Sequence, residues 1–332
     1  VVACALVVWQ REKFMTAEQK IPVGISSCLL GERVRFDGGH KHNPYIVQTL
    51  GQFFDFVPFC PEVAIGLGVP RPTIQLVQAG DGVRCQGVRD ASLDVTGPLV
   101  ACAEAQLARV SELCGYVFKK DSPSCGMERV KVYGEPNRPP ARNGTGIYAA
   151  VLQQAFPWLP VEEEGRLGDP VLRENFIRRV FVLQRWFRLQ QQGLTLAALT
   201  RFHARHKLIL MSHDQNRARE LGRSLARVRA GQLPAYAGEY RLQLMDILRI
   251  RATRGNHVNV LEHIRGYLKQ ELGALDKAEL SEVIESYRQG HVPLIVPVTL
   301  LRHHFRHFPD RYVGDSWYMQ PHPGELMLLN AV

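Results

Sequence analysis

The chain has no stretch approaching the ~20 consecutive apolar residues that span a bilayer, and no cysteine after residue 125 in its 332 residues. It also lacks an internal repeat and any low-complexity tract. The first absence excludes an integral membrane helix. The cysteine pattern, seven in number and irregularly spaced, excludes a fully paired secreted disulfide framework and leaves reduced thiols, a metal site or both, as in a cytoplasmic protein. What is present, 45% hydrophobic and 22% charged residues, fits a globular chain with ordinary cores, and the length suggests two domains.

Charge divides those domains. Residues 1–150 hold 16 basic and 14 acidic residues, net +2, and residues 151–332 hold 25 and 18, net +7. All the cysteines lie in the first half and ten of the twelve histidines in the second. One half therefore reads as the chemistry and the other as a grip on an anionic partner. Residues 1–20 read as a leader or an added segment: Val1 to Trp9 is apolar but short, without a preceding basic region or a small-residue cleavage pattern, so export is not expected. Cys4 receives no role.

From Ile21 the grammar is that of an α/β domain with a mostly parallel sheet. Residues 21–27, 54–59 and 115–119 read as buried strands, each running into a loop that carries Cys28, Cys60 or Cys125. Helices are expected over 43–53, 99–114 and 144–156, a last strand over 160–164, and a long loop over 134–146. In an open parallel sheet, ligands collect at the carboxyl ends of strands, so the three cysteine loops are expected to converge. A soft thiolate set of this kind suits an iron-sulfur cluster or zinc. The alternative for any single cysteine is a buried thiol packing as a small hydrophobe, and that is the reading for Cys85, Cys102 and Cys114.

After Gly168-Asp169-Pro170 the pattern becomes all-α, with helical periodicity over 170–191, 195–208, 215–230, 235–253, 256–272 and 276–289. The expected division is thus 21–166 for the α/β domain and 167–326 for the helical one. In the latter, Lys207, Arg249, Arg251, Arg254, Asn256 and His257 are candidate contacts to a polyanion, whose binding would be salt-sensitive and largely sequence-independent. The row Arg219, Arg223, Arg227 reads equally well as a solvated helix face. His303, His304 and His307 lack the further ligands a zinc site needs and read as surface, or as phosphate contacts beside Arg302 and Arg306.

The segments Ile25 to Gly38 (ISSCLLGERVRFDG), Cys60 to Pro72 (CPEVAIGLGVPRP) and Lys119 to Gly126 (KKDSPSCG) resemble the thiouracil desulfidase (TudS) family. Residues 185–325, including 202–213, 252–261 and 294–301, resemble an uncharacterised helical domain fused behind such desulfidases. The two-domain order is similar to the tRNA 4-thiouridine desulfidase (RudS) branch. The resemblance implies that Cys28, Cys60 and Cys125 hold a [4Fe-4S] cluster through three irons, with the fourth open to substrate. It implies a non-redox reaction, C=S plus water to C=O plus hydrogen sulfide, in which a coordinated thiocarbonyl is made electrophilic and Glu62 takes a proton from water.

By the same resemblance Ser122 or Ser124 orients the pyrimidine or relays a proton, and Ser26, Ser27, Asp37 and Lys41 line the pocket. Arg71, on a stiff Pro-Arg-Pro backbone, is a contact to phosphate or ribose, or else a buried ion pair supporting its loop. Competing with Glu62 as a base is its reading as a helix N-terminal carboxylate, and the Ser122-Pro123-Ser124 turn has a purely local reading. The partner expected is tRNA containing 4-thiouridine, read by shape and with its base flipped out. The alternatives are free thiolated pyrimidines and, from another class, a non-enzymatic metal-cluster RNA-binding redox sensor.

Overall fold

A computed structural model of the protein describes residues 20–80, 82–135, 138–326 and 328–330. The leader expected over 1–20, apart from Lys20, and Cys4 with it, lie outside the described residues.

Strands β1 (Ile21–Ser26), β2 (Phe54–Phe59), β5 (Tyr116–Phe118) and β8 (Val161–Glu163) form a four-stranded, all-parallel sheet in the order β2-β1-β5-β8. The chain leaves β1 toward β2 on one side and later returns to β5 on the other, so the strand order reverses beside β1. That reversal is where an open parallel sheet leaves a crevice. Side chains on a strand alternate between faces, and β5 shows the result. Val117 joins a core with Ile21, Val23, Ile25 and Phe54, while Tyr116 and Phe118 join another with Tyr148 and Leu152.

A second sheet, β4-β3-β6-β7, joins β3 (Ile74–Ala79), β4 (Gly82–Gly87), β6 (Val130–Tyr133) and β7 (Ala141–Gly144). Its presence corrects the expected loop over 134–146, part of which is strand. Ala141, Arg142 and Asn143 are exposed, so no apolar period marks β7; it is held by antiparallel pairing to β6. The helix expected over 43–53 is a π-helical turn, Tyr45–Thr49, followed by a 3-10 turn, Leu50–Gln52. Helices α1 (Pro61–Ala64), α2 (Thr96–Val110) and α3 (Ile147–Ala155) complete the α/β unit.

The second half is helical: α4 (Pro170–Gln191), α5 (Leu196–His213), α6 (Gln215–Ala226), α7 (Leu233–Arg249), α8 (Arg254–Gly266), α9 (Ala274–Gln289), α10 (Ile295–His307) and α11 (Arg311–Asp315). The starts follow from capping chemistry. Asp169 accepts from the Val171 and Leu172 N–H groups ahead of Pro170 at N1, and Thr195, Asp214 and Thr253 cap α5, α6 and α8 in the same way; each such cap contributes ~1 kcal/mol.

Helix α4 belongs to both halves. Its Phe176, Ile177, Val180 and Phe181 pack on β1 and β2, and its Val182, Leu183 and Trp186 on Phe202, Tyr240 and Leu244 of the helical layer. The tail of the chain closes back on the first half: Leu326 and Leu328 join the β1 core, and the Leu329 N–H donates to Glu174 at 2.9 Å.

Candidate active site

The three cysteine loops do converge. A cavity of about 330 Å³ is lined by Ser26, Ser27 and Cys28 after β1, Cys60 and Glu62 after β2, and Ser122, Pro123 and Cys125 after β5. Cys28 sits in a 3-10 turn, Ser27–Leu30, closed by Gly31 at φ 101°, a conformation that favours glycine. Cys60 is the residue before α1, where Pro61 at the first position sets the turn that carries Glu62. The Ser26 hydroxyl accepts from the Lys119 N–H at 3.0 Å, tying the first loop to the third at the point where strand order reverses.

No disulfide joins the thiols of Cys28, Cys60 and Cys125. Burial raises all three above the ordinary thiol range, Cys28 to about 11 against the opposing pull of Lys119. Cys60 lies close enough to raise both of the others further. Such thiols stay neutral unless a cation takes up the thiolate charge. Among the described residues no three His, Cys, Asp or Glu side chains are gathered to grip a single metal ion. Cys85 and Cys114 are buried in apolar cores and Cys102 is half-buried on α2.

Glu62 accepts hydrogen bonds from three side chains at the cavity, Arg71, Ser122 and Ser124. Arg71 holds one carboxylate oxygen through Nε at 2.9 Å and Nη2 at 2.6 Å, and its Nη1 donates to the Val34 and Gly68 carbonyls. Of the two readings of Arg71, the geometry is that of the buried ion pair: its guanidinium is committed to Glu62 and the loop. The other Glu62 oxygen accepts from Ser124 Oγ at 2.6 Å, with Ser122 Oγ at 3.4 Å. The two hydroxyls are 3.0 Å apart.

Ser122 lines the cavity, whereas Ser124 is fully buried behind it. The local reading of this turn holds in part, because Ser122 Oγ also accepts from the Ser124 and Cys125 N–H groups. Helix α3 braces the loop from below: a Cβ on Gly146 would stand 2.5–2.6 Å from the Ser124 carbonyl carbon and oxygen.

Ser26, Ser27, Lys41 and Arg71 line the cavity; Asp37 does not. Its carboxylate accepts from Gly39 N–H at 3.0 Å and faces Arg35 at 3.5 Å on an exposed turn, and that backbone hydrogen bond holds it below the usual carboxylate range. The cavity also contains residues that sequence reasoning passed over: Arg35, Thr73, Lys119 and Lys120. The signal for three of them was position, since Arg35, Lys119 and Lys120 stand inside the cysteine-bearing segments. Thr73, the loop residue just before β3, lies just past the end of the second of those segments and had none.

The candidate polyanion contacts separate. Lys207, Arg249 and Arg251 are exposed. His257 is not available to a phosphate: it is 1% exposed, its Nδ1 pairs with the Tyr318 hydroxyl at 2.8 Å, and burial drives its pKa well below normal. Asn256 donates to the His213 carbonyl at 3.1 Å, and Arg254 lies over the Tyr287 ring at 5.6 Å. These two are half-buried and built into the α5, α8 and α9 contacts. On α10, His304 is buried, and Arg302 donates to the Met319 carbonyl.

Residues 23–164 match the 2-thiouracil desulfurase family, and residues 207–323 match a protein family of unknown function, DUF1722. The chain is similar to Uncharacterized protein YbgA of Escherichia coli (strain K12), 33% identical over 159 residues that cover 48% of this chain and 94% of that protein. Among solved structures it is similar to a [4Fe-4S]-dependent thiouracil desulfidase, TudS, at 30% identity and a TM-score of 0.36, covering 45% of this chain and 94% of that one. Among the described residues no helix is long and apolar enough to cross a membrane.

Proposed function

The chain belongs to the 2-thiouracil desulfurase family, with a TudS-like domain fused to a helical DUF1722 domain, and we propose that this enzyme uses a [4Fe-4S] cluster to convert 4-thiouridine in tRNA to uridine, releasing hydrogen sulfide. The observation that carries the reaction is the meeting of Cys28, Cys60, Cys125 and Glu62 on one cavity. The donor set suits a cluster, whose ligands attach to separate irons, better than a single ion, for which no gathered set exists among the described residues. Cys28, Cys60 and Cys125 would hold it. Its open iron would supply a Lewis acid for the soft thiocarbonyl sulfur.

The chain's own residues supply the rest. Glu62, anchored by Arg71, takes a proton from the attacking water. Ser122 faces the substrate and hands protons through Ser124, in a chain with steps of 3.0 and 2.6 Å. Ser26, Ser27 and Lys41 bound the place of the pyrimidine, and the reduced thiols suit a cytoplasmic setting.

What supports tRNA is the net +7 over residues 151–332 and the exposed cations Lys207, Arg249 and Arg251. A thiolated nucleotide in tRNA leaves its stack to reach the cysteines at the strand ends. The second reading is a free thiolated pyrimidine, favoured by the family's 2-thiouracil description and by a cavity of one-ligand size. The deciding experiment is anaerobic purification with iron and sulfide quantification, then incubation with thiolated tRNA and nucleoside mass spectrometry. Loss of 4-thiouridine with matching sulfide is expected. Unchanged 4-thiouridine beside turnover of free thiouracil would overturn the tRNA assignment.

A further inference from the structure

A second cleft, of about 390 Å³, opens where the two halves meet. Its walls include Glu128, Glu162, Arg166, Arg179, Arg249 and Arg251. Arg166 bonds both carboxylates, so those three groups largely answer one another. Arg179, Arg249 and Arg251 form no ion pair among the described residues.

Arg179 is the anomaly. It is 8% exposed, its Nε has no hydrogen-bond partner among the described residues, and its Nη2 donates to the Val161 carbonyl at 3.3 Å. Other buried guanidiniums with an orphaned nitrogen have a compensating neighbour. Arg178 pairs with Glu174, and Arg173, Arg185 and Arg241 lie over the rings of Tyr45, Trp317 and Trp158. Arg179 has no direct partner of either kind; burial pushes its pKa down to about 10, the nearby Glu162 carboxylate, already bonded to Arg166, opposes that, and Arg249 and Arg166 push further down. A buried cation left with one long hydrogen bond costs several kcal/mol unless an anion answers it. The guanidinium fork is suited to the oxygens of a phosphate.

We propose that this cleft is a phosphate site, in which Arg179, Arg249 and Arg251 hold a backbone phosphate of the nucleic acid whose thiolated base occupies the cavity. This rests on the tRNA reading. The connection between the two places is short: Met127 and Glu128, which line the cleft, follow Cys125 after a single residue, Gly126, so the Cα atoms of Cys125 and Glu128 are at most ~11 Å apart. The Met127 N–H is fixed to Glu163 at 2.9 Å, so the loop that carries the third cysteine also forms the wall of the cleft.

Two measurements test the site without requiring turnover. The first is binding of unmodified tRNA, followed by fluorescence anisotropy across a salt series, for the wild type, R249Q/R251Q, R179Q and a charge-matched control, R84Q/R288Q, whose arginines are exposed and paired to Asp94 and Glu285. The second is ³¹P line broadening of inorganic phosphate by the same proteins. R249Q/R251Q, both surface changes, guards against misfolding of R179Q. It should weaken tRNA binding roughly tenfold and lower the slope of log K against log salt by about 2, with loss of phosphate broadening, while the control changes neither.

If tRNA binds the wild type and R249Q/R251Q with equal affinity and slope, or if the control loses as much, the phosphate site is overturned and the tRNA reading survives. If inorganic phosphate binds in an arginine-dependent way but tRNA does not bind at all, the site stands as one for a free phosphorylated ligand and the tRNA reading falls. Absence of both kinds of binding overturns the site.

Discussion

Both halves of the molecule bury polar side chains, and they do so to different ends. In the α/β half, Ser26, Ser27, Arg71 and Ser124 are buried around one cavity, and Ser26, Arg71 and Ser124 are bonded to groups that face it. In the helical half, six buried histidines are scattered. Several are answered locally: His203 by the Tyr240 hydroxyl at 3.0 Å, His206 by the Phe202 carbonyl at 2.7 Å, His257 by Tyr318. Convergence, rather than polarity or burial as such, separates a reaction site from a specified core.

The sharpest way to break that contrast is at the thiols. Cys28→Ser, Cys60→Ser or Cys125→Ser should each take desulfidation to background and remove iron and the visible cluster absorbance, while the corresponding change at Cys85 or Cys102 should leave both. Next in size, Glu62→Gln should lower kcat ~10²- to 10⁴-fold with iron content unchanged; a redox sensor would keep its binding and its redox response in that variant. Gly146→Ala drives a methyl into the backbone of the Ser124 loop and should reduce cluster loading and activity together, read by iron analysis and kcat.

The helical half should answer to pH instead. Burial lowers His203 to about 4 and His213 and His322 to about 3, and takes His206 and His257 well below normal. The unfolded chain therefore binds more protons below pH ~6.5, so stability is full above that value and falls as pH drops toward the folded values, with a slope approaching ~1.4 kcal/mol per pH unit for each histidine. Denaturant midpoints at pH 7.5, 6 and 5 check the sign. The smallest effect belongs to the surface: Arg288→Gln removes an exposed pair with Glu285 and should change stability by no more than ~0.5 kcal/mol.

The parallel sheet was legible because its strands are short apolar runs that end at Gly, Pro and Cys, and the cysteine positions followed from those ends. Most of α4 to α9 was legible from period and caps. The second sheet was not, since β7 has no apolar pattern and exists through its partner. Nor were the tertiary contacts of the helical half. His257 reads as a polar neighbour of Arg254 in sequence, whereas Tyr318, 61 residues on, takes its nitrogen. Arg178 and Arg179 carried no signal in the sequence, and it is the packing of α4 on both sides that buries them. Cavity residues brought in by the second sheet, such as Thr73 at the entry to β3, were out of reach for the same reason.

Helix α4 has a mechanical consequence. A shared spine leaves no hinge between the face that would hold a partner and the cavity that would process it, so the two move as one frame. Removing everything from Pro170 onward would strip the sheet of a wall instead of releasing an independent module, and heating should show one cooperative transition, not two. A polymer that uses both surfaces has to do the bending itself, and the work of presenting a base falls on the substrate and not on the enzyme.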